Sequence, residues 1–356
     1  MVHAFPRNPA KILVRSTTWI GDAVMTTPAV RTIRENFPES EITMLVHPWV
    51  ADVFRYSPRV DRIFLYEKKG IHKGLKGMVR LAGELRAEEF DCAILLQNAF
   101  EAAFITRLAG IPVRAGYTTD GRSLLLTHPV QKAPDLVRKH EIHYYQRIMR
   151  GLGLKTAANE LELFIPGVHV DAARQRLGER IGEEVGVAPL IGFNPGAAFG
   201  PAKRWPAERY AELADRLSER TGGWILVFGS AADQPTATEI FDRAKNRERI
   251  VDLTGRTSLV EAMALIGECD VFVTNDSGLM HVAAALHTPQ VAIFGSTDHI
   301  RTGPYSEHAV VVRKELPCSP CKKPRCPEKH FRCMRLITSD EVFAAVLGLL
   351  EEEQWP

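Results

Sequence analysis

The stretch DVFVTNDSGLMHVAAALHTPQVAIFGS, residues 270–296, decides the fold of this chain. Two short apolar runs, 270–275 and 290–296, flank a segment of helical length that begins at a polar Asp-Ser-Gly turn. Short runs rich in β-branched residues that alternate with helical segments are typical of parallel sheets covered by helices. The stretch therefore predicts the α/β class, and the same alternation extends outward along the chain.

The predicted strands fall into two series. They lie at 11–15, 41–46, 62–66, 92–97, 113–117, 190–196, 224–230, 250–255, 270–275 and 290–296. A strand-like LELFIP run (161–166) and a charged helical segment separate the series. Because 356 residues exceed what one hydrophobic core usually holds, we expect two doubly wound domains. They are an N-terminal domain (1–168) and a C-terminal domain (190–356) ending in an amphipathic cap helix, joined by a connection (169–189).

Composition excludes several classes of protein. No apolar stretch approaches the roughly 18 residues of a membrane span, and the start of the chain lacks the apolar region of a secretory signal, so we expect a cytoplasmic location. A formal net charge of +2 is too small to indicate nucleic-acid binding by itself. No predicted strand is followed by G-x-G-x-x-G, which disfavours a nicotinamide-dependent oxidoreductase.

Candidate site residues follow the strands, because ligands of open parallel sheets bind beyond the carboxyl ends of the strands. Asp22 follows the first strand, near the start of a helix predicted to end before Pro38. It is either an N-cap, whose carboxylate accepts backbone N–H bonds, or a general base that takes a proton from an acceptor hydroxyl. The local sequence leaves both interpretations open.

A second candidate is the TNDSGLMH segment after the strand 270–275. Asp276 or Ser277 can cap the next helix, and Gly278 lets a ligand approach the backbone closely. Ser277 and His281 are four residues apart and share one helix face. The segment is therefore either an anion site or a capped helix that carries a satisfied histidine.

A third candidate is the loop NPGAAFGPAKRWP, residues 194–206. Gly196 and its neighbouring glycines let the loop wrap a diphosphate, and Lys203 and Arg204 can neutralise it. A solvated basic turn is the alternative. The loop FGSAADQP, residues 228–235, is interpreted only as a turn with a capping Asp233.

Taken in order, IGDAVMTTPA, NPGA…KRWP, FGSAAD, TNDSGLMHVAAAL and VAIFGSTD resemble the ADP-heptose:lipopolysaccharide heptosyltransferases of Gram-negative bacteria, glycosyltransferase family 9, and within it the heptosyltransferase II group. The resemblance covers nearly the whole chain. It implies a GT-B fold of two Rossmann-like domains facing a cleft, with the acceptor held by the N-terminal domain and the nucleotide sugar by the C-terminal one. It implies an inverting, metal-independent enzyme with no required cofactor.

The family's functional positions carry over by resemblance. Asp22 matches the catalytic carboxylate, and Lys203, helped by Arg204, matches the diphosphate-binding lysine. Asp276, Ser277, Gly278 and His281 match the helix-terminal contacts to phosphate and sugar. Some relatives carry a ribose-binding glutamate just after the glycine of the 228–235 loop, whereas Ser230, Ala231 and Ala232 stand here.

The implied substrates are ADP-heptose and heptosyl-Kdo2-lipid A, with peripheral contact at the inner face of the inner membrane. The basic run 68–80 supplies Lys68, Lys69, Lys73, Lys76 and Arg80. It is either a solvated helix face or a surface for acceptor phosphates or anionic lipid. The rival functions are heptosyltransferase I or III, a relative that uses another nucleotide sugar, and a non-catalytic nucleotide-sugar sensor, against which Asp22 argues.

Four cysteines remain outside this assignment. Cys318, Cys321, Cys326 and Cys333 have the spacing C-x2-C-x4-C-x6-C in a segment rich in proline and lysine. Such thiols can enclose a structural zinc ion or an iron–sulfur cluster, but the spacing matches neither standard pattern closely. Reduced loop cysteines and disulfides are the alternatives.

Overall fold

The computed structural model describes residues 5–184 and 186–352. The chain forms two compact units, and the division falls between Phe164 and Ile165. Every helix within the described residues is too short or too polar to cross a lipid bilayer.

The first unit is a six-stranded parallel sheet with helices in the connections. Its strands are β1 (Lys11–Arg15), β2 (Glu41–Val46), β3 (Arg62–Leu65), β4 (Cys92–Leu95), β5 (Val113–Tyr117) and β6 (His128–Val130). Its helices are α1 (Ile20–Met25), α2 (Thr27–Asn36), α3 (Asp52–Arg55), α4 (Gly74–Ala87), α5 (Phe100–Leu108) and α6 (Glu141–Gly151). The strand order is β3-β2-β1-β4-β5-β6. The middle of a central strand such as β1, residues 12–14, is apolar and buried because helices cover both faces of the sheet.

The second unit repeats this design. Its strands are β7 (Leu190–Asn194), β8 (Trp224–Val227), β9 (Ile250–Asp252), β10 (Val271–Asn275), β11 (Gln290–Phe294) and β12 (Ala309–Arg313). Its helices are α7 (Gly167–Ile181), α8 (Ala207–Thr221), α9 (Gln234–Arg243), α10 (Leu259–Gly267), α11 (Gly278–Ala285), α12 (His299–Thr302), α13 (Arg332–Arg335) and α14 (Ser339–Glu352). The order β12-β11-β10-β7-β8-β9 is the doubly wound order of the first unit.

The predicted strand series is confirmed in both units, and the differences lie at the sheet edges. The edge strands β6 and β12 were not predicted. The first is three residues long and contains Pro129, which an edge strand tolerates because one side of its backbone pairs with no neighbour. The strand β12 is partly exposed along its length, as an edge strand is.

The strand-like LELFIP run does not form a strand, so that prediction was wrong. Contacts with side chains, and not pairing with another strand, fix the position of this segment. The backbone N–H of Glu162 donates to Thr27 Oγ1 over 3.2 Å, and its carboxylate lies 2.6 Å from Arg31 Nη2. The single helix predicted before Pro38 is also wrong: it is two helices, α1 and α2, because Pro28 at the start of α2 has no N–H to continue the first.

Candidate functional site

In the second unit, the candidate site lies at the carboxyl ends of β7 and β10. These parallel strands are neighbours at the centre of the sheet, where the strand order reverses. Connections leave this point toward opposite faces, so a crevice opens between the loops that follow the two strands. The predicted 194–206 and 276–281 segments are those two loops, and the fold brings them together.

Asn275, the last residue of β10, joins the two loops. Its side-chain amide donates to the carbonyl of Pro195 over 2.7 Å, and its Oδ1 accepts from the backbone N–H of Trp205 over 3.1 Å. The Trp205 indole is buried and donates to the Ile337 carbonyl over 3.0 Å. The segment that carries Lys203 is therefore anchored at both ends.

Lys203 forms a largely buried ion pair with Asp276. Its ammonium lies 2.6 Å from Asp276 Oδ2, and the two side chains are 14% and 5% exposed. The same nitrogen lies 3.5 Å from the Asp276 carbonyl oxygen and 5.1 Å from the centre of the Phe199 ring. Because an ammonium group has three N–H donors, Asp276 orients Lys203 and leaves it capacity for one more acceptor.

The N-terminus of α11 lies beside this pair. Ser277 holds the N-cap position, as predicted, but its side chain makes no capping bond to the helix. Instead, Asn194 Nδ2 donates to Ser277 Oγ over 2.5 Å. The first turn of α11 therefore keeps N–H groups that are not bound by the cap residue, at the positive end of the helix dipole. His281 follows one turn later and is 4% exposed.

Arg204 and Gly196 contact the neighbouring 228–235 loop. Arg204 Nη2 lies 3.6 Å from Asp233 Oδ1. A Cβ added at Gly196 would lie 2.6 Å from the Asp233 carboxyl carbon, so the glycine makes room for this aspartate. Asp233 Oδ2 in turn accepts from Ser230 N and Oγ over 3.0 and 2.8 Å, which confirms the capped turn predicted there.

In the first unit, Asp22 lies at the equivalent point of the sheet. It follows β1, where the Gln97 side chain after β4 donates to Thr18 Oγ1 over 2.9 Å. Asp22 is half-buried and is the third residue of α1, whose N-cap is Trp19, so Asp22 is not the capping residue. Burial, followed by the charge of Asp22, raises the pKa of the enclosed Tyr145 well above its usual value.

A buried polar cluster that the sequence did not predict lies at the carboxyl ends of β1, β2 and β3. Arg15 is 2% exposed, donates to the Leu45 carbonyl over 3.0 Å and lies 3.0 Å from His47 Nε2. The Tyr66 hydroxyl donates to Glu101 over 2.6 Å. Burial lowers the pKa of Arg15 to about 10, and burial together with Arg15 lowers the pKa of His47 to about 4. The available signal was a single charged residue at the end of an apolar run.

The basic run 68–80 divides into two parts. Lys68 pairs with Glu101 over 2.6 Å, and Lys69 lies 5.4 Å from the centre of the Trp49 ring, both before α4 begins. Lys73 is the N-cap of α4, and Lys76 lies within the helix. The structure therefore brings only part of the run onto one helix.

A family model described as glycosyltransferase family 9 (heptosyltransferase) matches residues 78–332. The lipopolysaccharide heptosyltransferase 2 of Salmonella typhimurium is 33% identical over 96% of this chain and 99% of its own length. The structure of the Escherichia coli ADP-heptose LPS heptosyltransferase II aligns with a TM-score of 0.83 and 30% identity over 97% and 100% of the two chains.

A glycosyl transferase family 9 structure from Veillonella parvula aligns with a TM-score of 0.86 and 26% identity, over 98% of this chain and all of its own. Together with the two six-stranded parallel sheets, these likenesses confirm the predicted GT-B fold.

Proposed function

Since this chain belongs to glycosyltransferase family 9, the heptosyltransferase family, we propose that it moves L-glycero-D-manno-heptose from ADP-heptose to the heptosyl-Kdo2-lipid A inner core of lipopolysaccharide, as heptosyltransferase II does. The similarity to heptosyltransferase 2 over nearly the full length of both chains supports this choice. The observation that carries the proposal is the pairing of Lys203 with Asp276 beside the start of α11.

The second unit binds the diphosphate of the donor in this proposal. Ser277 and Gly278 at the start of α11 offer backbone N–H groups to a phosphate, and Lys203 supplies a positive charge. Asp276 acts as a positioning residue, because its carboxylate holds the Lys203 ammonium 2.6 Å away. Arg204, Gly196 and His281 complete the proposed contacts to the nucleotide sugar.

The first unit supplies the base. The acceptor hydroxyl oxygen attacks C1 of the heptose from the face opposite the diphosphate, so that the C1–O bond to ADP breaks and the anomeric centre inverts. Asp22 takes the hydroxyl proton as the new bond forms. Its position after β1, in the first turn of α1, supports this role.

We propose no required cofactor. Negative charge grows on the leaving ADP during the displacement. Lys203 and the N–H groups of α11 stabilise that charge in fixed geometry. A divalent ion has this role in other transferases.

The membrane-held acceptor makes α4 a candidate lipid-contacting surface. Leu75 and Val79, one turn apart on α4, are 64 and 53% exposed, and Ile71, which lies just before the helix, is 48% exposed. Lys73 and Lys76 alternate with them. Exposed apolar side chains flanked by lysines suit the surface of an anionic bilayer, where each nearby cation contributes about 1 kcal/mol. We therefore assign this face to the inner leaflet of the inner membrane, on its cytoplasmic side.

Vesicle sedimentation tests this surface. We expect binding to vesicles that contain phosphatidylglycerol, and loss of that binding in a Leu75→Glu and Lys76→Glu double variant. Lys245→Glu, an exposed change in the second unit, is the matched control. Equal binding of the α4 variant and the control would overturn the assignment.

Product analysis tests the function itself. The purified protein is incubated with ADP-heptose and a core acceptor that carries a single heptose, and the product mass is measured. Addition of one heptose is the expected result. Transfer only to an acceptor without heptose would instead indicate heptosyltransferase I, and a donor bound without transfer would indicate a sensor.

A relative that uses another nucleotide sugar is the second candidate, and the 228–235 loop favours testing it. No glutamate follows Gly229 there, and the Asp233 carboxylate is engaged by Ser230. Competition among ADP-, GDP- and UDP-linked sugars distinguishes the two, with preference for ADP-heptose expected.

A further inference from the structure

Four thiols that the proposed reaction does not use line one small cavity. Cys318, Cys321, Cys326 and Cys333 surround a space of about 20 Å³. All four are free thiols, so the disulfide alternative does not hold in this structure. A single water-sized guest needs roughly 10–15 Å³. The cavity therefore has room for one small ion.

Cys333 is buried, and the other three thiols are half-buried. His330 and Glu328 also line the cavity, and His330 Nδ1 lies 3.9 Å from Cys326 Sγ. His330 Nδ1 accepts the backbone N–H of Arg332 over 3.0 Å, and His330 Nε2 lies 3.7 Å from Glu328 Oε2. Both ring nitrogens therefore face partners within the protein, and the four thiols are the simplest ligand set.

The backbone around the thiols adopts costly conformations. Lys322, Lys329 and Phe331 have φ values of 57, 58 and 50°, in the left-handed region that residues other than glycine rarely enter. Such conformations persist where surrounding interactions over-determine them. The segment 317–330 is mostly exposed or half-buried and contributes little apolar core. A ligand shared by the four thiols would add a constraint of this kind.

We propose that Cys318, Cys321, Cys326 and Cys333 bind one zinc ion as four thiolates, in a structural site. Within residues 5–184 and 186–352, no three metal-binding side chains are already grouped to hold an ion. Binding releases the thiol protons to solvent, and four thiolates in tetrahedral geometry are a standard structural zinc set.

The segment 317–330, which carries three of the four cysteines, supports the loop that carries Lys203. The Pro324 carbonyl accepts the backbone N–H of Ala202 over 3.1 Å, and it lies 2.4 Å from where a Cβ on Gly200 would stand. On the other side, the backbone N–H of Lys322 donates to the Ser296 carbonyl over 2.7 Å. The ion therefore fixes residues 322–324 between the loops that follow β7 and β11. This consequence for the donor site rests on the proposed function, whereas the metal site does not.

Metal analysis of the untagged full-length protein tests the site. We expect about one zinc ion per chain, loss of zinc in Cys321→Ser and Cys326→Ser, and full zinc in Cys269→Ala. Cys269 is a buried cysteine of the same unit and serves as the matched control. Protein prepared under reducing conditions without stoichiometric zinc, or with iron in its place, would overturn the proposal.

Mercurial titration of the wild-type protein keeps the test valid if the serine variants fail to fold. Zinc release should follow the modification of four thiols per ion, with the other two cysteines not required. Release that needs no thiol modification would refute the ligand set. The supporting role is measured separately: removal of zinc by a chelator should weaken ADP binding in calorimetry and lower Tm. Unchanged ADP affinity in zinc-free protein would show that the ion does not support the Lys203 loop. The metal site itself is tested by the zinc content alone.

Discussion

Replacing Lys203 separates its structural role from its proposed catalytic role. Lys203 and Asp276 are 14% and 5% exposed, and their charged atoms are 2.6 Å apart. Lys203→Met leaves the Asp276 carboxylate buried without its cation, and breaking a buried ion pair in this way costs about 3–5 kcal/mol. We therefore expect a clearly lower free energy of unfolding in urea.

The double variant Lys203→Met with Asp276→Asn removes both charges. Replacing a whole buried pair by neutral groups is close to neutral for stability, so most of the unfolding free energy should return. Activity should not return, because the leaving diphosphate still lacks its ammonium partner. By analogy with the loss of one oxyanion donor, kcat should fall about 10²- to 10³-fold, or about 2.7–4 kcal/mol.

Steady-state kinetics with ADP-heptose and equilibrium unfolding of the same three proteins provide the assay. A loss in kcat larger than the change in KM indicates an interaction made mainly in the transition state. Transfer within threefold of wild type in either variant would refute the role of Lys203. An unchanged unfolding free energy in the single variant would refute the buried pair.

Three further predictions concern the rest of the site. Asp22→Asn should fold, as circular dichroism would verify, but transfer no heptose; near-wild-type turnover would remove Asp22 from the mechanism. The pKa of His47 is lowered from 6.5 to about 4, so the unfolded state binds more protons in that interval and stability should fall as pH decreases through it; a His47→Gln variant with the same pH dependence of unfolding would exclude this source. Gly196→Ala should displace the Asp233 turn, because the new Cβ would lie 2.6 Å from its carboxyl carbon; an unchanged Tm and unchanged ADP affinity would contradict this.

Much of the fold was predictable because buried parallel strands appear in the sequence as short continuous apolar runs. The strands β1, β2 and β5 have the bounds that were predicted, since helices cover both faces of each and leave no polar alternation to obscure the run. The edges were less predictable. LELFIP has the composition of a strand, but a strand forms only where a neighbouring strand accepts and donates its backbone hydrogen bonds. Here the side chains of Arg31 and Thr27 hold the segment instead.

The candidate residues of the site were found in the sequence because the position after a strand has a physical meaning. The carboxyl end of a parallel strand faces the crevice, so Asp22, Lys203 and Asp276 could be selected one loop at a time. The pairing of Lys203 with Asp276 could not, since 73 positions separate them in the chain.

The sequence by itself determined the α/β class, the two series of strands and the polar loops that follow them, because these depend on local composition and period. Only the tertiary structure decided which charges meet. It paired Lys203 with Asp276, buried Arg15 against His47, and gathered Cys318, Cys321, Cys326 and Cys333 around one cavity. The physical reason is that the energy of a charge or a thiol depends on its distance to partners and on its burial. Both quantities are set by the strand order of the sheet, which brings distant loops to one edge.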